Sequence, residues 1–257
     1  INTELAADLL GATPLESGAL LREVQRRNFF LEECEPRGWF RYHDLIRDFL
    51  LRQFDPTAAY QTAVTWFEQH DDLPMAIEHA LTGRLFSRAA ELLASLPADF
   101  VHTTGKYQTL RRWVNSLDAA TRRLHPLILR DLAIALSEHS DRNESFSLLQ
   151  EAVNYAEAQG DPEISTNIRL SIVTTHLSAG NPSDALAVLQ SMPDQTAMPI
   201  NLRRKYLKTL GGVHYYLSQF HRARHAFEAA LALPDEGDRS ATARLRQNLI
   251  VAALHPL

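Results

Sequence analysis

Apolar positions along this chain change their period several times, and each change marks an element. Residues Asn2 to Leu10 carry a helical pattern that Asn2 or Thr3 can cap, with Glu4 early against the helix dipole and Gly11 as the stop signal. A second helix is predicted over Glu16 to Arg27, with Leu20, Leu21 and Val24 on one face. From Asn28 the spacing falls to two, and two short apolar strands flank an acidic turn built on Pro36-Arg37-Gly38. The spacing then returns to roughly 3.6, where Leu45, Ile46, Phe49 and Leu50 form a helical stripe. Two helices, a hairpin and a third helix are the order of a winged-helix unit. Pro56 marks its boundary and can occupy the first turn of the next helix, which runs to about His70 with Tyr60, Val64 and Phe67 on one stripe.

Beyond Pro56 the pattern is helix after helix with short breaks. Taking Ala89, Ser145, Ala185 and Ala223 as position zero puts an apolar pair three and four residues later each time: Leu92 and Leu93, Leu148 and Leu149, Val188 and Leu189, Ala226 and Phe227. A small residue precedes each anchor by five or six positions, namely Gly83, Ser140, Gly180 and Ser218. The last three anchors are 40 and 38 residues apart. Such self-similarity predicts stacked helical hairpins, with the small residue in the interhelical turn and the apolar pair against the neighbouring hairpin. The small-residue-to-alanine spacing resembles that of tetratricopeptide (TPR) repeats, most clearly from Leu217 to Leu231. The repeat is longer than that family's roughly 34 residues and lacks its aromatic positions, so an atypical superhelix with a concave binding surface is expected. The fold class is therefore mainly α: a winged helix over 1–55, a helical arm over 56–138 and a TPR-like repeat region over 139–257.

Composition narrows the function. Hydrophobic residues are 45% and charged residues 22% of 257, ordinary values for a globular chain, and the formal net charge of -5 makes a poor polyanion binder. The single cysteine, Cys34, excludes an internal disulfide framework and fits a reducing cytoplasm. Cys34 stands among Glu32, Glu33 and Glu35, which disfavour its thiolate, so it reads as an incidental strand residue. No run approaches the roughly 20 apolar residues that cross a bilayer, and no signal peptide is visible. The chain begins at Ile1 and stops at Leu257 just after a helical pattern, as an excised fragment would.

Chemistry is sparse. No Gly-x-x-x-x-Gly-Lys-Ser/Thr loop is present to cradle a triphosphate, and no Gly-x-Ser-x-Gly signature places a nucleophile. No catalytic residue is assigned, and the chain is not expected to be an enzyme. Among eleven histidines, His221 and His225 lie four apart on one helix face, but no third ligand accompanies them and no metal site is assigned. Tyr215, Tyr216, Arg222 and Arg224 are the aromatics and cations nearest a repeat turn and read as packing or solvated residues.

Several pieces, in order, carry a family resemblance: Leu20 to Val24, Arg27 to Leu31, Trp39 to Leu50, Trp66 to His70, Ala76 to Leu81 and Ala89 to Leu93. Together they make residues 2–93 resemble the region after the nucleotide-binding domain in large ATP-dependent bacterial transcription regulators of the maltose-activator (MalT) type. These are LuxR-type regulators of the signalling (STAND) ATPase class. Thr109 to Leu117 and His125 to Leu129 look similar to the arm of that family. The resemblance implies a larger parent with an ATPase core that binds ADP or ATP with magnesium, and a C-terminal helix-turn-helix that carries the DNA contact. It implies further that the histidine of a Met-His-Asp-like motif reaches the β-phosphate of ADP in the closed state. His43 holds that position, followed by Asp44, with Tyr42 in place of the methionine. An imidazole suits the task because it donates to an anionic oxygen. The expected partners are the nucleotide-binding core of the same protein, an inducer on the repeats that is a small molecule or a protein, and other copies when activated. No membrane partner is expected.

Two rival readings come from other classes. The winged helix itself would bind DNA if Arg22, Arg26 and Arg27 served a recognition helix, but residues 1–55 hold seven basic against ten acidic side chains, and the hairpin is acidic. The repeats would act as a constitutive protein scaffold if the basic strip of Lys106, Arg111, Arg112, Arg122, Arg123 and Arg130 docked an acidic partner; otherwise the strip is a solvated face.

Overall fold

A computed structural model describes residues 1–27, 30–97, 99–138, 141–234 and 239–254. Apart from one two-stranded hairpin, the regular structure of these residues is helical. The chain forms two compact units, residues 1–100 with 115–121 and residues 101–114 with 122–257, a division that differs from the three segments read from the sequence.

The first unit opens with α1 (Thr3–Leu10), where Asn2 accepts the Leu5 amide and Gly11 closes the helix at φ 61°. Helix α2 (Pro14–Arg26) begins two residues before the expected Glu16. Thr13 and Glu16 form a reciprocal capping box, and Pro14 sits in the first turn, where its missing N–H costs nothing. Ser17 and Gly18 are buried and Leu21 and Val24 half-buried, while Leu20 is exposed, so the inward face is rotated from the one expected. Strands β1 (Leu31–Cys34) and β2 (Trp39–Tyr42) pair antiparallel, with Glu32 opposite Arg41 and Glu33 opposite Phe40. Their turn is closed by the Glu33 carboxylate, which accepts the Gly38 amide at 2.8 Å. The expected start of the hairpin at Asn28 and Phe29 lies outside the described residues.

Helix α3 (Asp44–Gln53) follows, then α4 (Thr57–Gln69), α5 (Leu73–Thr82) and α6 (Phe86–Ala94). Pro56 is the N-cap of α4 and not its first turn. The core of this unit joins Leu5 of α1, Leu31 and Phe40 of the hairpin, Val64 and Phe67 of α4, Ile77 of α5 and Leu92 and Leu93 of α6. Trp39 stacks on Phe67 at 6.0 Å and meets Trp66 edge-on at 6.1 Å, which fastens β2 to α4.

Three short helices, α7 (Phe100–Thr104), α8 (Tyr107–Ser116) and α9 (Ala119–Leu124), come next in the chain. The second unit continues with α10 (Pro126–Glu138), α11 (Arg142–Ala158), α12 (Pro162–Ser178), α13 (Pro182–Gln190), α14 (Ile200–Tyr216), α15 (Phe220–Leu231) and α16 (Arg239–Ala253). Consecutive helices pack as hairpins. In addition α12 touches both α10 and α14, and α14 touches α16, so these four helices form one continuous layer.

The repeat anchors are deep in the packing. Ala89, Ser145, Ala185 and Ala223 all have no measurable exposure, and Ser145 satisfies its hydroxyl by donating to the Ala133 carbonyl at 2.7 Å. Five of the interhelical turns share one device: a left-handed residue, followed by an amide that donates to the carbonyl five residues back. Asp71, Arg84, Gly160, Gly180 and Ser218 hold the left-handed position, and Asp72, Leu85, Asp161, Asn181 and Gln219 donate at 2.8–3.1 Å. Gly180 and Ser218 therefore do what the spacing predicted. Gly83 does not, because Arg84 takes the left-handed conformation; Gly83 is required because a β-carbon there would lie 2.5 Å from the Tyr60 β-carbon. Ser140 lies outside the described residues.

Candidate functional site

The junction of hairpin and α3 carries the first candidate. His43 is the N-cap of α3: its amide donates to the Phe30 carbonyl at 2.9 Å, and its Nδ1 accepts the Leu45 amide at 3.4 Å. An imidazole that accepts at Nδ1 carries its proton on Nε2, so capping fixes the tautomer and leaves an N–H donor on the exposed side chain. Asp44 and Asp48 both hold Arg47, each at 3.1 Å, so one guanidinium offsets only one of the two carboxylates beside His43.

Helix α3 buries none of its residues. The expected stripe divides: Ile46 and Leu50 are half-buried, whereas Leu45 and Phe49 are 74% and 58% exposed, and Phe54 just past the helix is 69% exposed. Leu45 and Phe49, one helical turn apart, thus form an exposed apolar strip beside the His43 imidazole, and exposed apolar patches mark interaction sites.

Two of the three cations of the DNA reading, Arg26 and Arg27, are engaged. Glu23 accepts from both Arg26 and Arg27, the latter at 2.7 Å, and Glu32 and Glu33 stand exposed on the hairpin. A phosphate backbone would meet carboxylates there. The basic strip is likewise partly neutralised: Arg111 pairs with Glu144 at 2.5 Å and Asp141 at 3.8 Å, and Arg130 with Asp131 at 2.6 Å.

A cleft of about 440 Å³ opens between α14 and α15 in the second unit. From α14 come Arg203, Leu207, Leu210 and His214, a single stripe with a basic residue at each end; from α15 come His221, Arg222, His225, Ala226 and Ala229. The 3-10 turn before α14 (Gln195–Ala197) adds Gln195. The Gln219 side-chain oxygen accepts from His214 Nδ1 at 2.8 Å and from Arg222 at 3.3 Å, and so orients both. Burial holds the His214 imidazole below its ordinary pKa, with Arg222 adding to that effect and Gln219 opposing it. His221 and His225 are exposed on the rim. Among the described residues no group of three His, Cys, Asp or Glu comes together as a metal-ligand set.

Spacing alone marks Arg222 as a solvated or packing residue and gives no signal at Arg203, His214 or Gln195; the fold brings all four to one cleft. Tyr215 packs against Phe220 at 5.6 Å, as its helical spacing implied, while Tyr216 is exposed.

Residues 1–62 match the family model described as the MalT winged helix domain, which supports a regulator of the MalT type. A stretch of 96 residues is 32% identical to the serine/threonine-protein kinase PknK of Mycobacterium tuberculosis, and a match of the same extent is found with PknK of Mycobacterium bovis. These matches take in 35% of this chain and span 8% of the length of those relatives. No helix among the described residues is long and apolar enough to cross a membrane.

Proposed function

We propose that this chain is the switch and sensor portion of an ATP-dependent bacterial transcription regulator of the MalT type, acting in the cytoplasm. The observation that carries the reading is α3, which presents His43 at its exposed N-cap and leaves Leu45 and Phe49 uncovered beside it. The winged-helix match over residues 1–62 supports it. In the intact protein the apolar face of α3 seats on the nucleotide-binding core, and the Nε2–H of His43 donates to the diphosphate of bound ADP. The donor set fits that anion, because Nδ1 is engaged by the Leu45 amide and Nε2 is the proton-bearing atom. The core with its magnesium supplies phosphate chemistry; the residues of this chain hold or release the closed state.

The stacked, TPR-like hairpins of the second unit receive an inducer that binds the open arrangement more tightly. Differential affinity is all that is needed to shift the balance toward nucleotide exchange and self-association. DNA contact belongs to a separate C-terminal domain, and the chain itself catalyses nothing. The kinase activity in the name of PknK is not carried over, since the shared segment is a small part of that protein. A constitutive protein scaffold is the alternative reading, and a DNA-binding winged helix is disfavoured by Glu23 and the acidic hairpin.

The test uses the full-length parent with His43 and with His43→Ala. ADP retained through purification is quantified by chromatography of the denatured protein. Retention in the parent with loss in the variant is the expected result; equal ADP in both removes His43 from the switch and leaves the scaffold reading.

A further inference from the structure

We propose that the cleft between α14 and α15 binds a small organic anion with an apolar segment, held by Arg203 and Arg222. The inference deepens the sensor reading, on which it rests for its regulatory consequence, but the site is argued from its own walls. Two permanent cations and three imidazoles line it, and no carboxylate does. Asp194, just before the 3-10 turn, gives its side chain to the Thr196 amide at 3.0 Å, and its charge attracts Arg203 without lining the cleft.

A second observation points the same way. Arg203 Nε and Gln195 Oε1 are buried side-chain atoms without a hydrogen-bond partner, and both residues line this cleft. Buried polar atoms are nearly always satisfied, so a donor and an acceptor left open in the lining of one cleft describe what a ligand would bring: an anionic oxygen for Arg203 and a hydroxyl or N–H for Gln195. Between the basic ends of α14, which lie roughly 16 Å apart at about 1.5 Å per residue, the floor is Leu207 and Leu210. The volume is that of small-molecule sites.

Competing sites are weaker. A cleft of about 470 Å³ at Gly160 to Arg169 has its guanidinium already bound to Glu157 at 2.6 Å. A neutral sugar would look for carboxylates and an aromatic platform, and the α14–α15 cleft offers neither.

The experiment titrates the 257-residue chain with hexyl phosphate and with hexanoate by calorimetry, using 1-hexanol and hexylamine as controls. One saturable site for at least one anion is expected, with no response to either control. Arg203→Gln and Arg222→Gln should each weaken binding roughly tenfold, the value of one charge-assisted hydrogen bond, and Arg169→Gln should leave it unchanged. Arg222 is exposed, so its variant keeps the fold, as circular dichroism will verify. No saturable binding of either anion, equal binding of hexanol, or full binding by the double arginine variant overturns the site. Anion binding together with unchanged ADP in the His43→Ala parent keeps the site and removes the switch; the converse removes the site alone.

Discussion

Phe227 lies with its ring edge against the Cα of Gly211, so close that a β-carbon built there would fall 2.4 Å from Cε1. The contact joins α14 to α15 at the repeat anchored by Ala223. Gly211→Ala should destabilise the second unit by about 1–3 kcal/mol, because a buried Phe227 has no room to retreat. Gly212→Ala is the control. Its β-carbon would meet only Leu177 at 4.0 Å, and removing a helical glycine should be neutral or stabilising by up to about 1 kcal/mol. Thermal unfolding of the two variants separates the close approach from a general effect of glycine.

Trp39 holds the hairpin to α4 through Phe67 and Trp66. Trp39→Ala should cost about 2–4 kcal/mol, combining lost apolar contact with two aromatic pairs. Trp39→Phe should recover part of it. Denaturant midpoints measure the series, and an alanine variant as stable as the parent would show that α4 does not depend on the hairpin.

These two relationships show where sequence reading succeeds and where it stops. The caps at Asn2 and Gly11 and the anchors Ala89, Ser145, Ala185 and Ala223 were legible because capping and repeat packing are local or periodic demands. The start of α2 falls two residues before the expected Glu16 because the Thr13–Glu16 box and Pro14 set it ahead of the stripe that begins at Leu20. The stripe of α3 was legible as a stripe, but periodicity cannot say which of its residues finds a partner, and Leu45 and Phe49 find none within the chain's described residues. The cleft was invisible for a further reason. Gln195, Arg203 and Arg222 come from three separate elements, the 3-10 turn, α14 and α15, and only the fold brings them to one cleft.

The uncovered face of α3 makes a direct prediction. Leu45→Ser with Phe49→Ser should change the stability of the chain by no more than about 0.5 kcal/mol per site, since both side chains are already in solvent. The same pair should weaken docking on the nucleotide-binding core of the parent, read as faster loss of ADP. A large fall in stability would mean that α3 packs in solution and is not a docking face.

Acid should weaken the first unit through His79. Burial holds this imidazole below its ordinary pKa, with Glu78 and Asp72 acting in the opposite direction. Its ring stacks on Phe67 at 4.9 Å, where a charge would lose hydration. The unfolded chain, with an ordinary histidine near about 6.5, takes up the proton first, so stability from His79 is fully present above that pH and falls as pH drops through the lower folded value. Urea unfolding followed by tryptophan fluorescence in a Trp113→Phe background, which leaves Trp39 and Trp66 of this unit as the reporters, should show midpoints falling below roughly pH 6.5. His79→Gln should flatten that part of the profile, because it removes the proton uptake and keeps a side chain of similar length. A variant with the full acid slope would assign the loss to the carboxylates instead.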